Sequence, residues 1–160
     1  MSYRTVIIED DPVINQLNRR YIEMDSRFCV VRTFSAAHPA LFWLRSNPVD
    51  LIILDVYMPQ MNGLELLQAL RAEQVDADVI MVTSAADAST IKAFMRLGVT
   101  DYLIKPFGYQ RFQLGVQECF RAFVFLFIIS YSNLFTCGNQ GVCKLLWNGE
   151  VTVEILKLLI

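Results

Sequence analysis

Short apolar runs alternate with segments of helical periodicity along the first three quarters of the chain. Compact apolar runs are typical of strands buried in a sheet. They predict five strands, at 5–8, 29–31, 51–54, 79–82 and 102–104. Between these runs, apolar residues recur three and four positions apart, which is the spacing of one helix face. This spacing predicts five helices, at 12–24, 36–44, 64–71, 88–97 and 111–123.

Turn and capping residues mark several ends of these elements. Pro12 stands where the first turn of a helix tolerates proline, and Ser35 is a candidate N-cap for the second helix. Gly98 is well placed to end the fourth helix. The regular alternation of strands and helices predicts an α/β protein with a doubly wound, five-stranded parallel sheet and helices on both faces.

Charged and hydroxyl side chains follow the predicted strands, at the edge of the sheet where function collects in such folds. They are Glu9, Asp10 and Asp11 after the first strand, Asp55 after the third, Thr83 and Ser84 after the fourth, and Lys105 after the fifth. Clustered carboxylates repel one another, and a hard cation such as Mg²⁺ relieves that repulsion. A carboxylate beside Mg²⁺ can attack phosphorus, with a lysine and a hydroxyl bound to the phosphoryl oxygens.

Five segments of the sequence resemble the receiver domain of bacterial two-component response regulators. They are IIEDDP at 7–12, LDVYMP at 54–59, NG at 62–63, VTSA at 82–85 and DYLIKPF at 101–107. The resemblance covers residues 1 to 122 and implies a flavodoxin-like fold with the strand order 2-1-3-4-5. Within the family, segments 18–21 and 84–104 are most similar to the branch that responds to citrate and C4-dicarboxylates.

The resemblance implies a role for each residue at the strand ends. It assigns the metal site to Asp10 as a direct ligand, Glu9 acting through water, Asp55, and the backbone carbonyl of Tyr57. It assigns phosphorylation to Asp55, and phosphate binding and switching to Thr83, Tyr102 and Lys105. The Lys105–Pro106 peptide bond is expected to be cis, as in the family.

The function implied by the resemblance is that of a phosphorylation-dependent signalling switch. A sensor histidine kinase would supply the phosphoryl group and Mg²⁺ would assist its transfer. The chain would be a phospho-acceptor that assists its own phosphotransfer and dephosphorylation, rather than an enzyme. A homodimer through the face of the fourth helix, fifth strand and fifth helix is a further expectation. Full-length relatives would regulate transcription.

Three further side-chain assignments concern Asp11, the histidine and the cysteines. Asp11 is open between a metal role and an N-cap ahead of Pro12. His38 is the only histidine, and we interpret it as structural or exposed, so that no phosphohistidine donor lies in the chain. The four cysteines lack metal-binding spacing. Free thiols and the absence of a signal-like start favour a cytoplasmic protein.

Composition changes abruptly after the predicted receiver. The chain has 14 basic and 16 acidic residues, and only Lys144, Glu150, Glu154 and Lys157 lie beyond residue 121. We therefore expect a receiver domain at 1–122 and an apolar tail at 123–160. Direct DNA binding is not expected from so few cations. The tail is open between a truncated or frame-shifted end, a docking segment, membrane association, which is not favoured, and a small output module.

The same residues disfavour two rival functions. A flavodoxin-like module that binds a small molecule would need a hydroxyl- or glycine-rich phosphate loop after the first strand, where Glu9 and Asp10 stand. A haloacid-type phosphatase would need an aspartate two residues after Asp55, where Tyr57 stands. The small-molecule module and a non-functional, truncated receiver stay as alternatives to the signalling switch.

Overall fold

The alternation of strands and helices predicted from the sequence is present in the computed structural model, which describes residues 2–84, 88–130, 135–137, 143–147 and 150–154. The strands of the first sheet are β1 (Tyr3–Ile8), β2 (Phe28–Phe34), β3 (Leu51–Asp55), β4 (Asp78–Thr83) and β5 (Asp101–Ile104). The helices between and after them are α1 (Pro12–Glu23), α2 (Ala37–Leu44), α3 (Gly63–Ala72), α4 (Ala88–Arg96) and α5 (Tyr109–Ser130).

The five strands form one sheet in the order β2-β1-β3-β4-β5, and every neighbouring pair is parallel. This confirms the predicted fold class and strand order. The sheet is most deeply buried at its centre, where all five residues of β3 are buried. A strand covered on both faces needs apolar residues at nearly every position, which is why the run at 51–54 is continuous.

Helices pack on both faces of the sheet. On one face, alternate strand residues and three helices form a single buried cluster that includes Val6, Ile8, Ala40, Leu44, Ile52, Leu54, Leu66, Leu70, Val79, Met81 and Phe94. Elsewhere α1 and α5 pack together through Tyr21, whose ring centroid lies 5.3 Å from that of Phe112 and 5.4 Å from that of Tyr109. Each fully buried aliphatic side chain contributes about 1.5–3 kcal/mol of transfer free energy.

Two sequence predictions about helix ends have different outcomes. Gly98 follows α4 with a φ of 69°, the left-handed conformation that ends many helices and that glycine adopts without strain. The prediction for Ser35 is wrong, because α2 has Ala36 at its N-cap and no side-chain bond there. The sequence predicted that β2 ends at residue 31, but the strand continues to Phe34. Ser35 therefore follows the strand directly, and the helix begins one residue later than a Ser35 N-cap would require.

Arg71 joins two loops at the end of the sheet opposite the strand ends described above. Its guanidinium donates four hydrogen bonds to backbone carbonyls, at 2.7 Å to Val75, 3.0 Å to Ala77, 3.0 Å to Leu97 and 3.2 Å to Gly98. One side chain therefore satisfies carbonyls before β4 and at the end of α4. An arginine fork can do this because its five donors are held in one plane.

Replacing Arg71 by glutamine is expected to lower the free energy of unfolding by about 2–3 kcal/mol, because several carbonyls lose a charged donor. Urea unfolding measures the change. Arg45→Gln is the control, since it breaks an exposed ion pair with Glu73 at 2.6 Å and should lower the free energy of unfolding far less than Arg71→Gln, because exposed ion pairs add little to stability. Equal losses in the two variants would contradict the role of Arg71.

Contacts divide the chain into two compact units, Met1–Cys119 and Phe120–Ile160. The second unit contains the end of α5 and three strands, β6 (Phe135–Cys137), β7 (Cys143–Trp147) and β8 (Glu150–Glu154). These strands pair antiparallel in sequence order. The domain boundary at residue 122 stays a prediction. Among the described residues, no helix is both long and apolar enough to span a bilayer.

Candidate functional site

Three carboxylates meet at the carboxyl edge of the sheet. β1 and β3 are neighbours with Ile8 opposite Leu54, so the residues that follow these two positions, Glu9 and Asp55, lie side by side. Oxygen atoms of Glu9, Asp10 and Asp55 all lie within 4.8 Å of one another. Glu9 and Asp55 are buried, with 1% and 3% of their surface exposed. The acidic cluster expected from the strand ends is therefore present.

Lys105 reaches the same cluster from the end of β5. Its backbone amide donates to the carbonyl of Thr83 at 2.7 Å, which places it directly after the last paired residues of β4 and β5. Its Nζ donates to Glu9 Oε1 at 3.0 Å and lies 3.2 Å from Asp55 Oδ1. The Lys105–Pro106 peptide bond is cis, as the resemblance implied.

The cluster holds more negative charge than one ammonium can balance. Glu9 Oε2 and Asp55 Oδ1 have no hydrogen-bond partner among the described residues, although both lie within ion-pair distance of Lys105. Burial raises the pKa of Glu9 to about 7 against the opposing effect of Lys105. Burial likewise raises the pKa of Asp55, although Lys105 opposes it. Buried carboxylate oxygens clustered in this way fit a hard divalent cation.

The remaining predicted site residues occupy three settings around the cluster. Thr83 is the last residue of β4 and is fully buried, whereas Ser84 is exposed, so Thr83 is the hydroxyl held within the fold. Tyr57 donates a backbone hydrogen bond to the Asp55 carboxylate, which lowers the pKa of Asp55. Tyr102 lies within β5 and its partly buried ring packs against the apolar cluster.

Two open assignments have structural answers. The Asp11 carboxylate accepts from the backbone amides of Val13 at 2.8 Å and Ile14 at 3.2 Å, so Asp11 is the N-cap of α1. This satisfies amides that a helix start leaves without partners. His38 is exposed in α2, in agreement with its interpretation. Cys29 and Cys119 are free thiols, and the side chains of Cys137 and Cys143 lie outside the described residues.

The sequence analysis missed two residues that support the site. Asn15 Nδ2 donates to the carbonyl of Glu9 at 3.1 Å, one turn into α1. Gly63 begins α3 and its amide donates to the carbonyl of Val56 at 2.9 Å. A Cβ atom at Gly63 would lie 2.1 Å from the carbonyl oxygen of Asp55. The Asn62-Gly63 pair signalled a turn, but the close approach to Asp55 arises only in the folded chain.

The fold and this site define a class of α/β proteins in which a buried aspartate at the carboxyl edge of a 2-1-3-4-5 sheet faces further acids and a lysine. Residues 5–117 match the response regulator receiver domain family. The chain belongs to that family, whose members act as phosphorylation-dependent switches in two-component systems.

Relatives and solved structures agree with this assignment. The chain is 43% identical over 113 residues to the transcriptional regulatory protein MalR of Bacillus subtilis, covering 71% of this chain and 48% of MalR. It is 39% identical over 121 residues to the probable C4-dicarboxylate response regulator DctR of Halalkalibacterium halodurans, covering 74% and 53%. The chain thus spans about half the length of these relatives.

The fold is also similar to that of a solved receiver domain. The signal receiver domain of a putative Luxo repressor protein from Vibrio parahaemolyticus superposes with a TM-score of 0.72 at 22% identity, over 80% of this chain and 98% of that one. At this level of identity the likeness concerns the fold, and the family assignment comes from the sequence match over residues 5–117.

Proposed function

We propose that Asp55 accepts a phosphoryl group from the phosphohistidine of a sensor histidine kinase and that the chain acts as the resulting signalling switch. The observation that carries the proposal is the buried Asp55 carboxylate, whose Oδ1 lies 3.2 Å from Lys105 Nζ beside the oxygens of Glu9 and Asp10. In this role the chain is a phospho-acceptor that assists its own phosphotransfer and dephosphorylation, not an enzyme with a separate substrate.

Mg²⁺ is the cofactor that this donor set favours. Asp10 and Asp55 would be direct ligands, and Glu9 would act through a water. The backbone carbonyl of Tyr57 would be the remaining ligand that the protein supplies. When bound, the ion would neutralise charge on the phosphoryl oxygens. Lys105 would bind another phosphoryl oxygen as a fixed point charge, and burial of Asp55 would keep bulk water from the acyl phosphate.

Thr83 and Tyr102 would transmit the effect of phosphorylation from Asp55 to the surface of the domain. Phosphorylation adds about one to two negative charges at neutral pH, and the Thr83 hydroxyl would move to donate to the new oxygens. Tyr102 would turn inward and change the face formed by α4, β5 and α5, through which two copies could pair. We place this switch in the cytoplasm, with a signal related to C4-dicarboxylates by its similarity to DctR.

DNA binding does not form part of this proposal. The chain carries 14 basic against 16 acidic residues, and Lys144 and Lys157 are the only cations after residue 121. Sequence-independent affinity for DNA needs several phosphate contacts from such side chains. Transcriptional control by this chain would therefore pass through a partner or through further residues.

Intact-protein mass after incubation with acetyl phosphate tests the proposal. With Mg²⁺ we expect the mass of one phosphoryl group to be added, and hydroxylamine, which cleaves acyl phosphates, should remove it. Chelation of Mg²⁺ by EDTA should prevent the addition. A folded chain that stays unlabelled would indicate a non-functional receiver, and a hydroxylamine-resistant label would place the phosphoryl group on another kind of side chain.

A further inference from the structure

The backbone of Tyr102 is held on both sides by one ion pair. β5 is the last strand of its sheet, so part of its backbone has no neighbouring strand to bind it. The Tyr102 amide donates to Asp101 Oδ1 at 2.8 Å, and the Tyr102 carbonyl accepts from Arg111 Nη2 at 2.7 Å. Side chains thus make the two hydrogen bonds that a further strand would make.

The ion pair itself is bidentate. Arg111 Nη1 lies 2.5 Å from Asp101 Oδ2, and Arg111 Nη2 donates to Asp101 Oδ1 at 2.8 Å. Gly115, one turn further along α5, makes room for it, because a Cβ there would lie 2.6 Å from Asp101 Oδ2. We call the Asp101–Arg111 pair, with its two bonds to the Tyr102 backbone, the Tyr102 latch.

The geometry of the latch leaves little freedom to the peptide it binds. A guanidinium is a rigid planar fork, and Arg111 Nη2 serves Asp101 and the Tyr102 carbonyl at the same time. Any displacement of that carbonyl therefore breaks a charge-assisted hydrogen bond or strains the ion pair. Such bonds are about twice as strong as neutral ones.

We propose that Arg111 is a positioning residue which, through the Tyr102 latch, holds the switch aromatic in the unphosphorylated conformation and slows phosphorylation of Asp55. The inference rests on the proposed function, in which Tyr102 moves when Asp55 is phosphorylated. A bond made in only one of two conformations favours that conformation by its own free energy. Removing the bond therefore raises the population of the conformation that accepts the phosphoryl group.

Two variants of Arg111 separate charge from positioning. Glutamine removes the ion pair, whereas lysine keeps a charge beside Asp101 but has no planar fork to serve both Asp101 and the Tyr102 carbonyl. We expect both variants to be labelled by acetyl phosphate and Mg²⁺ about three- to tenfold faster than the wild type. Arg45→Gln is the matched control, because it breaks a bidentate, exposed ion pair with Glu73 and should change the rate less than about twofold.

Two rate results for the Arg111 variants would overturn the inference. One is a wild-type rate for Arg111→Gln. The other is a wild-type rate for Arg111→Lys beside a changed rate for Arg111→Gln, because charge alone would then be sufficient. Equal acceleration by the Arg45 variant would show a general loss of stability and would also overturn it.

Amide hydrogen exchange at Tyr102 provides a readout that does not need phosphorylation. We expect exchange to become about tenfold faster in Arg111→Gln and to stay unchanged in Arg45→Gln. If the wild type takes no label, the proposed function fails and with it the link to phosphorylation, while exchange still decides whether Arg111 holds the Tyr102 peptide. Unchanged exchange in Arg111→Gln would overturn the latch itself.

Discussion

Asp55→Asn is expected to lose phosphoryl addition and, at the same time, to unfold at a higher denaturant concentration than the wild type. An amide has no anionic oxygen to attack phosphorus, so labelling should fall below detection. The side chain is nearly isosteric, but it removes one of three clustered carboxylates whose oxygens lie within 4.8 Å of one another. Burial already raises the pKa of Asp55, which means that the charged form is disfavoured in the fold without a metal. We expect a gain of about 1 kcal/mol in the free energy of unfolding.

Asp25→Asn is a control of opposite sign. The Asp25 carboxylate pairs with Arg27 at 2.6 Å, and the hydrogen bond from Arg27 lowers the pKa of Asp25. This variant should lose about 1 kcal/mol of unfolding free energy and keep full labelling. The pair of variants is compared in metal-free buffer by urea unfolding and, with Mg²⁺, by intact mass.

Two results for Asp55→Asn would fail to support the assignment. Labelling at the wild-type stoichiometry would mean that another carboxylate, such as Asp10, is the acceptor. Loss of labelling together with lower stability would mean that the asparagine disrupts the fold, so the loss would say nothing about chemistry. Higher stability without labelling would show that the lost carboxylate, and not a disrupted fold, causes the loss of labelling.

The fold was predictable where hydrophobic pattern alone decides it. β3 and β4 are central strands covered on both faces, so their residues had to be apolar and their positions were predicted to within one residue at each end. β2 lies at the sheet edge and exposes Arg32. Because the last part of the strand contains polar residues, the sequence predicted its end too early. The N-cap prediction for Ser35 was wrong for the same reason.

The site was predictable because it follows from strand order. Once parallel strands are placed side by side, the residues at the carboxyl ends of β1, β3, β4 and β5 must meet, and the structure brings Glu9, Asp55 and Lys105 into contact. Contacts that depend on the path of loops and helices were not predictable. The bond from Arg111 to the Tyr102 carbonyl joins groups nine residues apart through one arginine rotamer, for which the sequence has no periodic signal.

The region after residue 120 shows the limit of composition as a guide. Its low charge marks a change in composition, but it gave no strand pattern that distinguished an antiparallel arrangement. β6, β7 and β8 are short and pair in sequence order. Residues 109–130 form one helix, so α5 continues past the change in composition, where the sequence predicted an end at residue 123.

Gly63 supports the nucleophile by its lack of a side chain. Its amide donates to the carbonyl of Val56 at 2.9 Å, which draws the start of α3 against the end of β3. An added Cβ would lie 2.1 Å from the Asp55 carbonyl oxygen and 3.0 Å from Val56 Cα. These are backbone atoms, so no side-chain rotation can relieve the overlap. The α3 N-terminus, or the Asp55 backbone itself, has to move.

Gly63→Ala is therefore expected to lower the free energy of unfolding by about 3 kcal/mol, at the upper end of the cost of overpacking. It should also slow labelling of Asp55 by acetyl phosphate by about tenfold or more, because small displacements of reacting groups are costly. Urea unfolding measures the loss of stability. The initial rate of labelling is measured on the same preparation without denaturant, at a temperature where the variant is folded.

Gly108→Ala is the matched control for this substitution. Gly108 precedes α5, and a Cβ there would meet no heavy atom within 4 Å, so its cost should stay below about 1 kcal/mol with no change in labelling. A stable Gly63→Ala variant that labels at the wild-type rate would show that the loop yields without moving Asp55. A destabilised variant with a normal rate would separate the two effects, making Gly63 necessary for the fold but not for the position of the acceptor.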